Sequence, residues 1–335
     1  MRAFVVTAPQ QGEIRDVPDP VPAPSGVVVD VHLVGVCGTD VEFWTGEMAY
    51  LRQGHAAYPM RLGHEWCGVV SATGADVDRS WLGRRVTGDT MIGCGHCPRC
   101  LSGRHNVCAN RVEIGIRGGC PGALAEKLAV PVTALLALPE RVDDQAGAMV
   151  EPAGNAVRAV RGAELAAGDR ALVLGTGTIG LLTAEFARFD GAEVHLLGRS
   201  ASELAFARSL GLDAWTEDEL PELAWDAVID ASNSPGLPAL AVALVEPGKR
   251  VVYVGLAGTP SAVDTRTMVL KDVTAVGVLA GSQGLAGAVD AFAAGVVDPR
   301  RLIGATVGLD RTGNVLAGWR PGADRGPKIH VDPRS

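Results

Sequence analysis

Four cysteines fall within fifteen residues, as Cys94-x2-Cys97-x2-Cys100-x7-Cys108 in GCGHCPRCLSGRHNVC. Spacing this tight brings four sulfurs from one loop to a common point. Four thiolates can surround Zn²⁺ tetrahedrally, and such a closed set leaves no open position for chemistry. The expected role is structural: the ion staples a lobe, about residues 90–110, that has little apolar material of its own. An iron–sulfur cluster shares the spacing rules and is the alternative metal; a redox or disulfide cluster is the alternative without one. His96 and His105 lie inside the lobe and read as exposed loop residues, because four sulfurs already fill the coordination shell. The chain has seven cysteines, an odd number, and opens on MRAFVVTAPQQGEIRD, where charge and proline come too early for a secretory signal. Both features favour metal over disulfides and predict a cytoplasmic protein.

A length of 335 residues suits about two domains. Residues 1–150 read as β-rich and irregular, with short strands at 27–38, 66–74 and 84–89 between turn residues. Pro18, Pro20, Pro22 and Pro24 form an extended connector. From about 154 the texture changes. The apolar run Ala171–Leu174 leads into GTGTIG and the helical pattern LLTAEFARF. EVHLLG (193–198), the helix ASELAFARSLG, DAVIDAS (226–232) and KRVVYVGLAG (249–258) continue the alternation. Strands alternating with helices imply parallel βαβ units. Residues 273–289, uncharged for 17 positions, are too short and too rich in Gly, Ser and Gln to span a membrane. They read as a buried strand and a loop.

GTGTIG, residues 175–180, is a G-x-G-x-x-G that follows a strand and opens a helix, the context a dinucleotide needs. Gly175 permits a tight turn, Gly177 lets a pyrophosphate approach the backbone, and Gly180 lets helix and strand pack closely. The amides of Thr178, Ile179 and Gly180 at the helix start face the phosphates. About twenty residues on, an NAD site usually places an acid on the ribose 2′-OH. Here Gly198 is followed by Arg199 and Ser200. An arginine and a hydroxyl suit a 2′-phosphate, so NADP is the expected cofactor and NAD the alternative.

A third set is dispersed: Cys37 in GVCGTD, His64 and Glu65 in LGHEWCG, and Glu151 in MVEPAGNAV. One thiolate, one imidazole and carboxylates suit a Zn²⁺ that keeps a position open. Cys67 and Cys120 fit neither metal set and read as small buried hydrophobes. Phe43, Trp44 and Trp66 adjoin the motifs and are candidates for a pocket wall or for the core. A net charge of −8 argues against a broad nucleic-acid surface or a polybasic membrane patch.

GVCGTD, GHE, the four-cysteine lobe, EP-x-GNAV and GTGTIG stand here in the order of a known family. On these motifs the chain resembles the zinc-dependent medium-chain dehydrogenases/reductases over nearly its full length. It is similar within them to the sorbitol, threonine, butanediol and sugar (glucose) dehydrogenase branches. The resemblance implies an α/β fold in which a doubly wound Rossmann domain, 154–281, is inserted into a β-rich GroES-like catalytic domain, 1–153 plus 282–335. It implies two zinc ions per chain. Cys37 and His64 would bind the catalytic one, with Glu65 and Glu151 sharing the remaining protein position. Asp40 would hold the His64 imidazole. Thr39 would take the alcohol proton and relay it through the cofactor ribose. Many members end that relay on a histidine; Glu42 stands at its position here. The tail, WRPGADRGPKIHVDP, departs from the usual ending, although PKIHV reads as the last strand.

The implied reaction is hydride transfer between NADP(H) and a secondary alcohol, ketone or hemiacetal of polyol, sugar or cyclitol type. A simple- or aryl-alcohol dehydrogenase is the alternative enzyme, and a non-catalytic NADPH-binding zinc protein the alternative of another class. The expected partners are a small polar substrate and further copies of the chain, as a homodimer or homotetramer.

Overall fold

The computed structural model describes residues 1–320, 322 and 325–335. Of the departing tail, Pro321, Ala323 and Asp324 lie outside the described residues. The chain divides into two compact units, one built from Met1–Glu151, 288–320 and Lys328–Ser335, the other mainly from Pro152–Gly287.

The second unit is a parallel α/β sheet. Its strands are β1 (Arg170–Leu174), β2 (Glu193–Leu197), β3 (Asp213–Trp215), β4 (Trp225–Asp230), β5 (Val245–Tyr253) and β6 (Thr274–Gly277). Their spatial order is 3-2-1-4-5-6, with every pairing parallel. This is the doubly wound dinucleotide-binding arrangement, and its ligand crevice lies where the strand order reverses, between β1 and β4. Central strands are near-continuous apolar runs because helices cover both faces. Ala171, Leu172, Val173 and Leu174 of β1 are all inaccessible to solvent. Helix α1 (Thr178–Phe189) follows β1, and α2 (Ala201–Ser209) follows β2. Ser200 caps α2, its hydroxyl accepting from Glu203 N while the Glu203 carboxylate reaches back to Ser200 N, which satisfies two otherwise orphaned donors.

Residues 273–289 correct the sequence reading. Their strand, β6, is not buried: it forms the sheet edge, and three of its four residues are exposed. Beyond it a helix, Leu285–Ala294, already begins. An edge strand lacks a neighbour on one side, which an apolar run by itself does not reveal.

The first unit is β-rich, as its texture indicated. A sheet runs in the order Ile303–Gly308, Lys328–Asp332, Gly26–Gly35, Glu65–Thr73, Arg85–Gly88 and Leu135–Ala137, and Lys127–Pro131 also pairs with Gly26–Gly35. Its core gathers Val27, Val29, Val31, Val34, Leu62, Leu124 and Val331 with three aromatics, Phe43, Trp44 and Trp66. Register is the property that matters for the site. Gly35 pairs with Glu65 on one side and with His330 on the other. The end of one strand, the start of the second and the start of the C-terminal strand therefore meet. Among the described residues no helix is long and apolar enough to cross a membrane.

Candidate active site

In the cysteine lobe, the sulfurs of Cys94, Cys97, Cys100 and Cys108 all lie within 4.8 Å of one another, and none is in a disulfide. A Zn–S bond of about 2.3 Å puts tetrahedral sulfurs roughly 3.8 Å apart. The Cys94–Cys100 and Cys97–Cys108 separations are 3.9 and 3.8 Å. The set thus has the dimensions of a closed zinc site. Backbone N–H groups push the Cys108 thiol down to about 6, whereas burial pushes Cys100 up to about 11. Four sulfurs this close share negative charge poorly without a cation. His105 differs from its sequence reading. It is only half-exposed, and its Nε2 lies 2.7 Å from Asp89 Oδ2, tying the lobe to the strand before it. His96 is exposed and contacts Cys94 O through Nδ1.

A second donor set forms where the three strand ends of the first unit meet. Cys37, His64 and Glu65 offer a sulfur, an imidazole nitrogen and a carboxylate oxygen, all within 4.8 Å of one another. Cys37 is the N-cap of the helix Gly38–Thr45, which carries Thr39, Asp40 and Glu42. Asp40 is fully buried and ties both metal loops together. It accepts from Cys37 N at 2.9 Å and Gly63 N at 3.1 Å, and its Oδ1 lies 3.5 Å from His64 Nδ1. Burial would push the Asp40 carboxyl up, but His64 and these two amides hold it below its usual range. Burial likewise opposes charge on His64, and Asp40 and Cys37 outweigh it, raising the imidazole well above its usual value. The surroundings favour positive charge at this point, as a metal centre requires.

Glu65 is held by a residue that sequence reasoning passed over. Lys328 Nζ lies 2.5 Å from Glu65 Oε2 and 3.1 Å from Val36 O, and both side chains are almost wholly buried. Gly35 makes room for this: a Cβ there would stand 2.1 Å from Glu65 Oε2. The available signal was a lysine opening the last strand, KIHVD. Glu151 is buried in the first turn of the helix Val150–Ala163 and is not one of the three clustered donors.

In the second unit, GTGTIG forms the turn between β1 and α1. Gly175 has φ +108°, open to glycine at no steric cost. A Cβ on Gly180 would stand 2.0 Å from Gly175 O, so only glycine allows the helix to start this close. A Cβ on Gly177 would meet nothing. Open space therefore lies above the first turn of α1, whose Thr178, Ile179 and Gly180 amides suit a pyrophosphate. Gly198 directly follows β2 and precedes exposed Arg199 and half-buried Ser200.

Two family models match this chain: the alcohol dehydrogenase GroES-like domain over residues 23–140, and the zinc-binding dehydrogenase over residues 178–294. The chain belongs to the zinc-dependent medium-chain alcohol dehydrogenase family. The L-galactonate-5-dehydrogenase of Escherichia coli K12 is 33% identical over 71% of both chains. Among solved structures, the RspB alcohol dehydrogenase of E. coli CFT073 in complex with NADH superposes with a TM-score of 0.91 at 26% identity, covering 99% of both chains. A zinc-binding dehydrogenase of Sinorhizobium meliloti 1021 bound to NADP does so with 0.88 at 29% identity, again over 99% of both. The protein is thus a zinc-dependent oxidoreductase acting on alcohols.

For an alcohol dehydrogenase, the fate of the three aromatics near the metal motifs matters. None is exposed enough to line a pocket: Phe43 and Trp66 are 0% exposed and Trp44 is 8%. Trp44 packs on Phe4, with ring centroids 6.4 Å apart, and Trp66 fills the space over Gly88. The core claimed them because their helix and strand turn those positions inward. Cys67 is buried and donates to Asp144 O at 3.0 Å, whereas Cys120 is only partly buried against the core.

Proposed function

We propose that this dehydrogenase transfers hydride between NADP(H) and a polar secondary alcohol or hemiacetal of polyol, sugar or cyclitol type. The observation that carries the reading is the three-donor set Cys37, His64 and Glu65, backed by buried charges. Two features support a polar substrate. The aromatic side chains beside the metal motifs all go to the core, and the relative named above is a galactonate dehydrogenase.

Cys37 and His64 hold the metal, and Glu65 and Glu151 offer carboxylate for the remaining protein position. Bound there, zinc supplies Lewis acidity that lowers the pKa of an alcohol hydroxyl and polarises a carbonyl in the reverse direction. Asp40 keeps the His64 ring oriented. Thr39 accepts the substrate proton, and Glu42, three residues on along the same helix face, receives it. Burial and the neighbouring Glu47 raise the Glu42 carboxyl above its usual range. It therefore takes up a proton closer to neutrality than a free carboxylate does.

This role has a pH signature. Below its raised pKa, Glu42 is protonated and cannot accept, so wild-type oxidation should fall on the acid side. Glu42→Gln should lose that limb and turn over about 100-fold more slowly at neutral pH, with zinc content unchanged. A superimposable pH profile would remove Glu42 from the relay. The function as a whole is tested by following NADP⁺ reduction across polyols, aldoses, sugar acids, aminocyclitols and simple alcohols. Turnover should concentrate on the polar substrates; preference for a simple or aryl alcohol would overturn the substrate class.

A further inference from the structure

We propose that Glu203 is a determinant of cofactor choice: it accepts a ribose hydroxyl of NAD(H) and opposes the 2′-phosphate that Arg199 attracts. The proposal rests on the dinucleotide-dependent reading above and concerns the adenosine side of the crevice, at the carboxyl ends of β1 and β2.

In a sheet of this order the acid that reads the ribose stands at the end of β2. Here that position is Gly198, and the packing keeps it so. A Cβ on Gly198 would lie 2.8 Å from Thr176 Cγ2 and 2.9 Å from Leu204 Cδ2. No side chain can grow from the strand end unless Thr176 or Leu204 moves. The space next to it is not free of acid, however. Glu203, in the first turn of α2, directs its carboxylate back over the strand end. Its Oε2 accepts from Thr176 Oγ1 at 3.3 Å and from Ser200 N at 3.5 Å. Thr176 is the second residue of GTGTIG, so these contacts tie the carboxylate to the phosphate-binding loop itself. The other oxygen, Oε1, has no hydrogen-bond partner among the described residues, and Glu203 is exposed. An acceptor thus stands beside the glycine loop with one oxygen anchored and one available.

Ser200 is committed differently from its sequence reading. Its Oγ accepts from Glu203 N at 3.2 Å and lies 3.3 Å from Ser202 Oγ. It serves as the helix cap before it serves a phosphate. Arg199 is exposed and makes no ion pair among the described residues. The strand end therefore carries one available cation and one anchored anion. The cation attracts a 2′-phosphate. The anion repels it and accepts a hydroxyl in its place.

Glu203→Gln separates this role from helix capping, because glutamine at the third helical position closes the same capping box without the charge. The experiment is equilibrium titration of the purified zinc-loaded enzyme with NADH and with NADPH, followed by nicotinamide fluorescence. For Glu203→Gln we expect NADPH to bind about tenfold more tightly and NADH severalfold more weakly. Arg199→Ala should weaken NADPH about tenfold and leave NADH nearly unchanged. A NADH-to-NADPH affinity ratio within twofold of wild type in Glu203→Gln overturns the proposal, since capping alone leaves the ratio fixed. A wild type that binds neither dinucleotide would overturn the dinucleotide-dependent reading itself. Failure of the selectivity idea and failure of the function are therefore distinguishable.

Discussion

Cys37→Ala is expected to lose more than 10³-fold in turnover while keeping its fold. Changes to the groups behind a metal ligand already cost about 10–100-fold, and this change removes the only sulfur among the three clustered donors. Metal analysis should show zinc falling from two ions per chain to one. The remaining ion should stay, because Cys94, Cys97, Cys100 and Cys108 form a separate closed set. Circular dichroism should be unchanged, because Cys37 is only partly buried. Wild-type turnover from Cys37→Ala with one zinc per chain would show that the metal held at this donor set is not required for catalysis.

Lys328→Met should produce the largest change in stability. The ammonium and the Glu65 carboxylate are 3% and 1% exposed and 2.5 Å apart. Burial disfavours the charged lysine, and Glu65 together with Cys37 and Asp40 outweighs it, so its pKa lies above the usual value. The lysine's contribution is thus complete at neutral pH and fades as alkaline pH removes its proton. Removing one partner of a buried pair strands the other, at about 3–5 kcal/mol. In a unit of this size that is on the order of 10 °C in melting temperature. Lys328→Arg should recover part of it. The loss should be greater after chelator treatment, because a metal cation beside Glu65 offsets part of the missing charge. If Lys328→Met melts like wild type with and without chelator, Glu65 does not depend on this lysine.

The cysteine lobe and the dinucleotide turn were legible as motifs for a local reason. The lobe cysteines lie within fifteen residues, and the glycines of GTGTIG within six. A single loop or turn sets their geometry, and spacing alone then determines what they can surround. Cys37, His64 and Glu65 were recognisable as residue types that suit zinc, and their motifs stood in family order. What brings them together is sheet register. Gly35 must pair with Glu65, and its missing side chain leaves the space the carboxylate occupies.

The features that spacing did not show share one property. Lys328 is 263 residues from Glu65, and Glu203 is 27 from Thr176 across a strand and a turn. The sequence around Gly198 showed a strand end without an acid; only the contacts of Glu203 with Thr176 and Ser200 show a carboxylate delivered there from the next helix. The burial of Phe43, Trp44 and Trp66 is of the same kind. Each is compatible with a pocket or a core until the faces of neighbouring elements are known. Residue chemistry and local spacing therefore determined the cysteine lobe, the dinucleotide turn and the parallel βα half, whereas strand register assembled Cys37, His64 and Glu65. Tertiary structure decided which charges are paired, which aromatics are buried and which acid faces the cofactor site. Those properties depend on distances between segments remote in sequence, and only strand register and helix packing set such distances.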